Sequence, residues 1–183
     1  IAELRTIVKS SPVRRGPAQP TGTTETRVNT RVKEDKTETA SQKVAEEKTK
    51  EEKITELAQV LMDNDTTLDE ERARAMAEER IEMIVDFQLK EWPGSMFLER
   101  ENMASGVHAQ LNMRSHFYKH FYEYLENMDD AKPSEAVKII LMAYIRTEDE
   151  LSLRYDADNE IFPAFRERWG YWVQELVRIS DDA

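Results

Sequence analysis

The uneven distribution of aromatic residues constrains this fold more than any other feature of the sequence. All fifteen Phe, Tyr and Trp side chains lie between Phe87 and Trp172, and residues 1–86 contain none. Aromatic side chains bury large areas and dominate the energetics of cores. The sequence therefore predicts one aromatic core in the C-terminal half of the chain, with an N-terminal half that is held by other means.

Charge divides the chain in a similar way. Residues 1–33 carry seven Lys or Arg against two Glu, whereas residues 34–183 carry nineteen basic and thirty-five acidic side chains. The net charge is thus +5 before residue 34 and −16 after it, which agrees with the total of −11. An acidic surface repels nucleic-acid phosphates and anionic lipid surfaces. We therefore expect the body not to bind nucleic acid, and leave that role open only for the basic N-terminal arm.

The absence of cysteine bears on the compartment and on the chemistry. No disulfide, thiolate nucleophile or Cys-ligated zinc can form, which favours the cytoplasm or a particle assembled there. The apolar stretches are too short and interrupted to span a bilayer, and residues 1–15 lack the apolar run of a signal peptide. Because the sequence begins at Ile1 and not at Met, we interpret it as a processed chain or a fragment.

Residues 1–50 are predicted to form an extended or disordered arm that ends in the solvated start of a charged helix. Ile1, Leu4 and Val8 have the spacing of a short amphipathic turn, which would suit docking on a partner. Residues 10–26 are rich in Pro, Gly, Ser and Thr and supply neither a core nor a regular ladder. We expect the arm to become ordered only on another protein.

Two further features of the arm indicate contacts with other molecules. Residues 27–33 alternate Val28 and Val32 with polar residues, which is typical of a strand added to the edge of a partner's sheet. Basic side chains without interleaved aromatics favour a solubilising linker over a nucleic-acid-binding arm. These basic residues are Arg14, Arg15, Arg27, Arg31 and Lys33.

Residues 51–183 are predicted to form an acidic all-helical domain. The fold class is therefore all-α, an irregular bundle of about five helices preceded by the arm. Ile54, Leu57 and Leu61 begin an apolar stripe of helical spacing that also contains Ala58. Similar stripes predict helices through residues 68–89, 107–125, 136–145 and 165–179. No segment of the body is interpreted as a strand.

The last of these helices carries the aromatic residues Phe165, Trp169 and Trp172. We expect this helix to bury its full length against a second aromatic face. Trp169 is predicted to lie in the core, and Trp172, about 60° further round the helix, to reach the rim where a partner can contact it. The opposing face is predicted to consist of Phe117, Phe121 and Tyr124.

His116 and His120 have the i, i+4 spacing of a metal-binding pair, and Glu123 lies nearby in the sequence. The His-Glu-x-x-His pattern is absent, and the pair is embedded in an aromatic run. We therefore interpret these residues as the polar edge of a core helix.

A second metal pattern combines acidic residues at positions 1, 3, 5 and 12 of a calcium-loop spacing. Ile161 occupies the position that requires Gly, and Pro163 follows two residues later. We interpret the segment as a helix-capping turn. The acidic residues are Asp156, Asp158, Glu160 and Glu167.

The eight Met residues between Met62 and Met142 fall mostly on the predicted apolar stripes, which favours core filling over an adaptable binding groove. No nucleophile elbow, phosphate loop or dinucleotide fingerprint is present. The sequence therefore predicts no catalytic residue, cofactor or metal site, and no enzyme.

These observations favour a non-catalytic structural or adaptor subunit of a larger assembly, of the virion or secretion-machine type. Its body would pack on neighbouring proteins while its arm wraps another chain. One alternative is a nucleoprotein component that contacts nucleic acid through the arm, and another is a bundle-type metalloenzyme. The predicted partner contacts are Ile1, Leu4, Val8, Arg14, Arg15, Val28, Val32 and Trp172.

Overall fold

Seven α-helices and one three-stranded sheet make up the part of the chain that the computed structural model describes, residues 23–65, 67–155 and 160–181. The elements in chain order are α1 Thr24–Glu34, α2 Ala40–Glu46, α3 Lys50–Asn64, α4 Glu70–Arg80, β1 Val85–Lys90, β2 Leu98–Asn102, β3 Val107–Asn112, a π-helical turn Tyr118–Tyr122 that continues into α5 Glu123–Glu126, α6 Lys132–Arg154 and α7 Ile161–Asp181. Within these ranges no helix is long and apolar enough to cross a membrane.

The sheet shows that the predicted all-α class is wrong. Its strand order is β1-β3-β2, with β3 parallel to β1 and antiparallel to β2. Residues 107–112 alternate apolar and polar side chains, the period of a strand. The sequence predicts a helix for the same segment, because Val107 and Leu111, four residues apart, also have helical spacing.

The main core lies between the apolar face of this sheet and α6. Val107, Ala109 and Leu111 of the central strand are fully buried and belong to one cluster with side chains from β1, β2 and α6. Those partners include Val85, Leu98, Leu141, Met142 and Ile145. The long helix α6 begins next to Pro133, as the sequence predicted.

A second, smaller core joins the helical hairpin of α3 and α4. Ile54, Leu57 and Leu61 are buried there against Ala73 and Ala77 of α4, so the stripe predicted for this helix is confirmed. A capping box starts α3: the Thr49 backbone N–H donates to the Glu52 carboxylate, and the Glu52 N–H donates to the Thr49 hydroxyl.

Residues 24–34 form α1 and not the extended segment that was predicted for residues 27–33. The side chain of Asn29 fastens this helix to the start of β1. Its Nδ2 donates to the Val85 carbonyl at 2.6 Å, and its Oδ1 accepts from the N–H groups of Ile84 and Val85 at 2.6 and 3.1 Å.

The predicted arm contacts Ile1, Leu4, Val8, Arg14 and Arg15 lie outside the described residues.

Candidate functional site

The last helix, α7, is held against the body by residues on one side. Gly170 is the closest point of contact: a Cβ at this position would lie 2.9 Å from the Ser95 carbonyl oxygen and from the Met96 Cα. Only a residue without a side chain permits this approach of helix backbone to loop backbone. Glycine at position 170 therefore allows α7 to pack this closely against the body.

The loop that contacts Gly170 is held in place by a residue at the end of β3. Asn112, fully buried, donates through Nδ2 to the carbonyls of Trp92 and Met96 at 2.9 and 3.1 Å. Its Oδ1 accepts from the Trp92 N–H at 3.2 Å. The position of α7 is therefore set by the central strand through one amide side chain.

A buried ion pair joins α7 to α6. Arg166 donates through Nη1 to Glu148, and both side chains are almost completely inaccessible to water. Arg100 of β2 lies 3.9 Å from the same carboxylate and 3.6 Å from Asp149. Asp149 accepts from the backbone N–H of Ser41 at 3.0 Å and from its hydroxyl. This network of alternating charges connects α2, β2, α6 and α7.

Aromatic contacts also hold α7 against the body. Trp169 contacts Phe97 at 4.8 Å between ring centroids and Tyr144 at 5.2 Å. Burial, and then the nearby Glu148 carboxylate, raise the pKa of Tyr144 to about 12, so this hydroxyl stays protonated at neutral pH. Trp169 packs against the main core cluster, where the sequence placed it.

An adjacent side of α7 carries an exposed apolar face, which we call the α7 stripe. It consists of Ile161, Phe165, Trp172 and Leu176, whose exposed fractions are 60%, 52%, 48% and 60%. At 100° per residue all four lie within about 40° of the direction of Trp172, whereas Gly170 lies on the far side of the helix. The expectation that this helix buries its full length is therefore wrong.

The opposing aromatic face is also more exposed than expected. Phe117 contacts Phe97 at 4.7 Å between ring centroids, but Phe121 and Tyr124 are exposed. Phe97, which the sequence did not single out, lies between Phe117 and Trp169 and links the two aromatic segments.

A cation lies at the edge of the α7 stripe. The guanidinium of Arg168 lies 4.7 Å from the Tyr171 ring centroid and 5.1 Å from that of Trp172. Glu175 follows seven residues later, about two helical turns, and so lies on nearly the same side of α7. The stripe thus combines large apolar side chains with one positive and one negative group at its edge.

The predicted partner contacts Val28 and Val32 lie in a different place, a groove between α1 and α6. The groove has a volume of about 570 Å³, and its apolar lining residues include Val85, Ile139 and Met142. Charged residues also line it, among them Arg31, Glu34, Arg146 and Glu150. The groove therefore contains two of the predicted residues, but not Trp172.

The polar face of the sheet buries a His–Asp pair. His108 Nδ1 lies 3.5 Å from Asp86 Oδ2, and both side chains are buried. Burial, with a smaller effect of the Arg80 and Lys90 cations, lowers the pKa of His108 to about 3. Burial also raises the pKa of Asp86, against the opposing effect of Arg80. Both shifts favour the neutral forms of the pair.

The predicted metal patterns are only partly covered by the structure. His116 and His120 stack with 5.3 Å between their ring centroids. Across the described ranges, no group of three or more His, Cys, Asp or Glu side chains is arranged to hold a metal ion. Asp156 and Asp158 of the calcium-loop spacing lie outside the described residues, whereas Glu160 and Glu167 line an open cleft beside residues 93–96.

Comparison with known proteins identified no relative. No family model matches the chain, and neither a curated protein nor a solved structure shows significant similarity to it. The candidate site therefore rests on the geometry described above.

Proposed function

We propose that this chain is a non-catalytic subunit of a larger protein assembly and binds a neighbouring protein through the α7 stripe. The observation that carries the proposal is the grouping of Ile161, Phe165, Trp172 and Leu176 on one exposed helical face. From Ile161 to Leu176 the stripe extends about 22 Å along the helix axis at 1.5 Å per residue. Contiguous exposed apolar surface of this kind marks protein interaction sites.

The composition and the rigidity of the stripe support the same proposal. Trp and Arg are enriched among the residues that dominate binding energy, and here Arg168 stacks on Trp172. The contacts of Gly170 and Arg166 with the body hold the helix in place before a partner arrives. A preorganised helix loses less conformational entropy on binding.

Neither alternative function gains comparable support. Three of the five predicted basic residues, Arg27, Arg31 and Lys33, lie in the described part of the chain. Arg31 forms an ion pair with Glu34 at 2.5 Å and Lys33 with Glu82 at 3.5 Å, so carboxylates already face two of these three cations. The metalloenzyme alternative lacks a ligand cluster in the described part of the chain. The proposal includes a cytoplasmic setting, which the absence of cysteine favours.

Site-specific photo-crosslinking in the producing cell tests this function. A photoreactive phenylalanine derivative replaces Trp172 in one variant and Arg72, an exposed residue of α4, in the control. We expect a discrete cross-linked protein from position 172 that is absent from position 72. An equal or absent adduct at the two positions would overturn the proposal.

A further inference from the structure

The α7 stripe has the features of a surface that pairs with itself. We propose that its partner is a second copy of this chain, with the two α7 helices packed antiparallel. This inference rests on the proposed function and adds the identity of the partner. It requires that a second helix can approach the stripe, that the charges at its edge match, and that apolar area remains to be buried.

The approach is open on the stripe side of α7. Gly170 and Arg166, which face the loop at residues 93–96 and α6, lie about 160° and 120° from Trp172 around the helix. A helix packed over Trp172 at the usual 8–10 Å interaxial distance therefore meets the stripe and not the body. The ring of Phe165, at the border of the stripe, also stacks on Tyr144 of α6 at 6.0 Å between ring centroids. The contacts of α7 with the body and the proposed interface therefore use adjacent faces of the helix.

The charges at the edge of the stripe favour an antiparallel orientation of the two α7 helices. Arg168 and Glu175 are seven residues apart on nearly the same side of α7. A two-fold axis between Tyr171 and Trp172 places Arg168 of each copy level with Glu175 of the other, which gives two attractive contacts. In a parallel pair Arg168 of one copy and Glu175 of the other lie about 10 Å apart along the helix axis at 1.5 Å per residue, so neither attractive contact forms.

The same axis brings the aromatic residues to the centre of the interface. Tyr171 and Trp172 are 40% and 48% exposed and form an edge-to-face pair at 5.4 Å. In the antiparallel pair each aromatic couple meets its own counterpart. Central aromatic residues surrounded by a charged rim are typical of the interfaces in which few residues supply most of the affinity.

The net charge of −11 per chain opposes association at long range. At 0.15 M salt the Debye length is about 8 Å, so this repulsion is largely screened while contacts within the interface persist. The experiment is therefore performed at that ionic strength.

Sedimentation equilibrium of residues 1–183 tests the inference. We expect a reversible dimer whose dissociation constant rises at least about tenfold in R168E and in E175R, because each variant replaces two attractive contacts by two repulsive ones. An equimolar mixture of the two variants should recover the dimer, since unlike charges then face each other. The double variant R168E/E175R should also recover it, because exchanging the two charges restores both attractive contacts. The control R72E on α4 should leave the constant unchanged.

The possible outcomes separate this inference from the proposed function. If the wild-type chain is a monomer while position 172 cross-links to a different protein, the second-copy inference fails and the proposed function stands. A dimer that is insensitive to R168E and E175R, or that neither the mixture nor the double variant recovers, would overturn the antiparallel arrangement. Circular dichroism of each variant checks that the exposed substitutions leave the fold intact.

Discussion

The indole of Trp169 packs edge-on against the ring of Phe97, with 4.8 Å between the ring centroids and 74° between their planes. Phe97 is buried and also contacts Phe117 at 4.7 Å. One phenylalanine therefore connects α7 with the aromatic segment that follows β3. The α7 stripe lies on one side of this contact and the exposed ring of Phe121 on the other. Both depend on the contact for their positions.

Truncation of Trp169 should destabilise the protein more than truncation of Trp172. Trp169→Ala leaves a cavity beside Phe97 and Tyr144, and we expect a loss of about 2–4 kcal/mol in the free energy of unfolding, below the full range for a completely buried ring. Trp172→Ala, on the exposed face, should cost about 1 kcal/mol or less. Urea denaturation at low protein concentration measures both values without a contribution from association. Equal losses would show that Trp169 is not part of the core.

The ion pair of Arg166 and Glu148 gives a second prediction. Glu148→Ala leaves the guanidinium of Arg166 buried beside Arg100 without its main counter-charge, and we expect a loss of about 3–5 kcal/mol. The double variant Glu148→Ala/Arg166→Met removes both charges and should recover a large part of that loss. Chemical denaturation of the three proteins checks this order. A double variant as unstable as the single one would mean that the pair is not isolated from water as the structure shows.

The buried imidazole of His108 makes stability depend on pH. Its pKa is about 3 in the folded chain, against 6.5 as the ordinary value. Between these values the unfolded chain binds a proton that the folded chain excludes, so stability falls as the pH falls, by up to about 1.4 kcal/mol per pH unit. Asp86 has the opposite sign, because its raised pKa favours proton uptake by the folded state.

Comparison with His108→Gln isolates this contribution, since the effects of Asp86 and of the other histidines are present in both proteins. From pH 7 to pH 5.5 we expect the wild type to lose about 1 kcal/mol more than His108→Gln. Denaturant titrations at the two pH values provide the measurement. Parallel losses in the two proteins would show that folding does not lower the pKa of His108.

The segments that the sequence predicted correctly are those whose burial pattern has a single period. The stripe through Ile54, Leu57 and Leu61 matches only a helix, and so does the pattern that follows Pro133. The central strand was missed because Val107 and Leu111 satisfy both the helical and the strand spacing, and the choice between them depends on pairing with β1 and β2. Such long-range pairing is not visible in a local pattern.

The candidate site was only partly predictable for a related reason. The angle around the helix placed Trp172 nearer to the rim than Trp169, but Phe165 and Leu176 were assigned to the buried seam. An apolar stripe shows that a helix is amphipathic and does not show which side meets the body. Here the body contacts Arg166 and Gly170 in addition to Trp169, and neither Arg nor Gly contributes to an apolar stripe.

The turn between β2 and β3 provides the last prediction. A Cβ at Gly106 would overlap the carbonyl of Ile84 and lie 2.7 Å from its Cα. Two backbone hydrogen bonds surround this contact, from the Met103 N–H to the Gly106 carbonyl at 2.7 Å and from the Val107 N–H to the Ile84 carbonyl at 2.9 Å. Because the obstacle is backbone, it cannot rotate away as a side chain would.

Gly106→Ala must therefore separate β1 from β3 at their first residues, and we expect a loss of about 3 kcal/mol or more in the free energy of unfolding. Gly94→Ala is the matched control: its φ of 110° is unfavourable for alanine, but no atom lies within 4 Å of the added Cβ. That strain alone should cost about 1–2 kcal/mol. Hydrogen exchange distinguishes the two variants further, since only Gly106→Ala should accelerate exchange of the β3 amides. Protected β3 amides in Gly106→Ala would mean that the turn moves without opening the sheet, contrary to the close contact with Ile84.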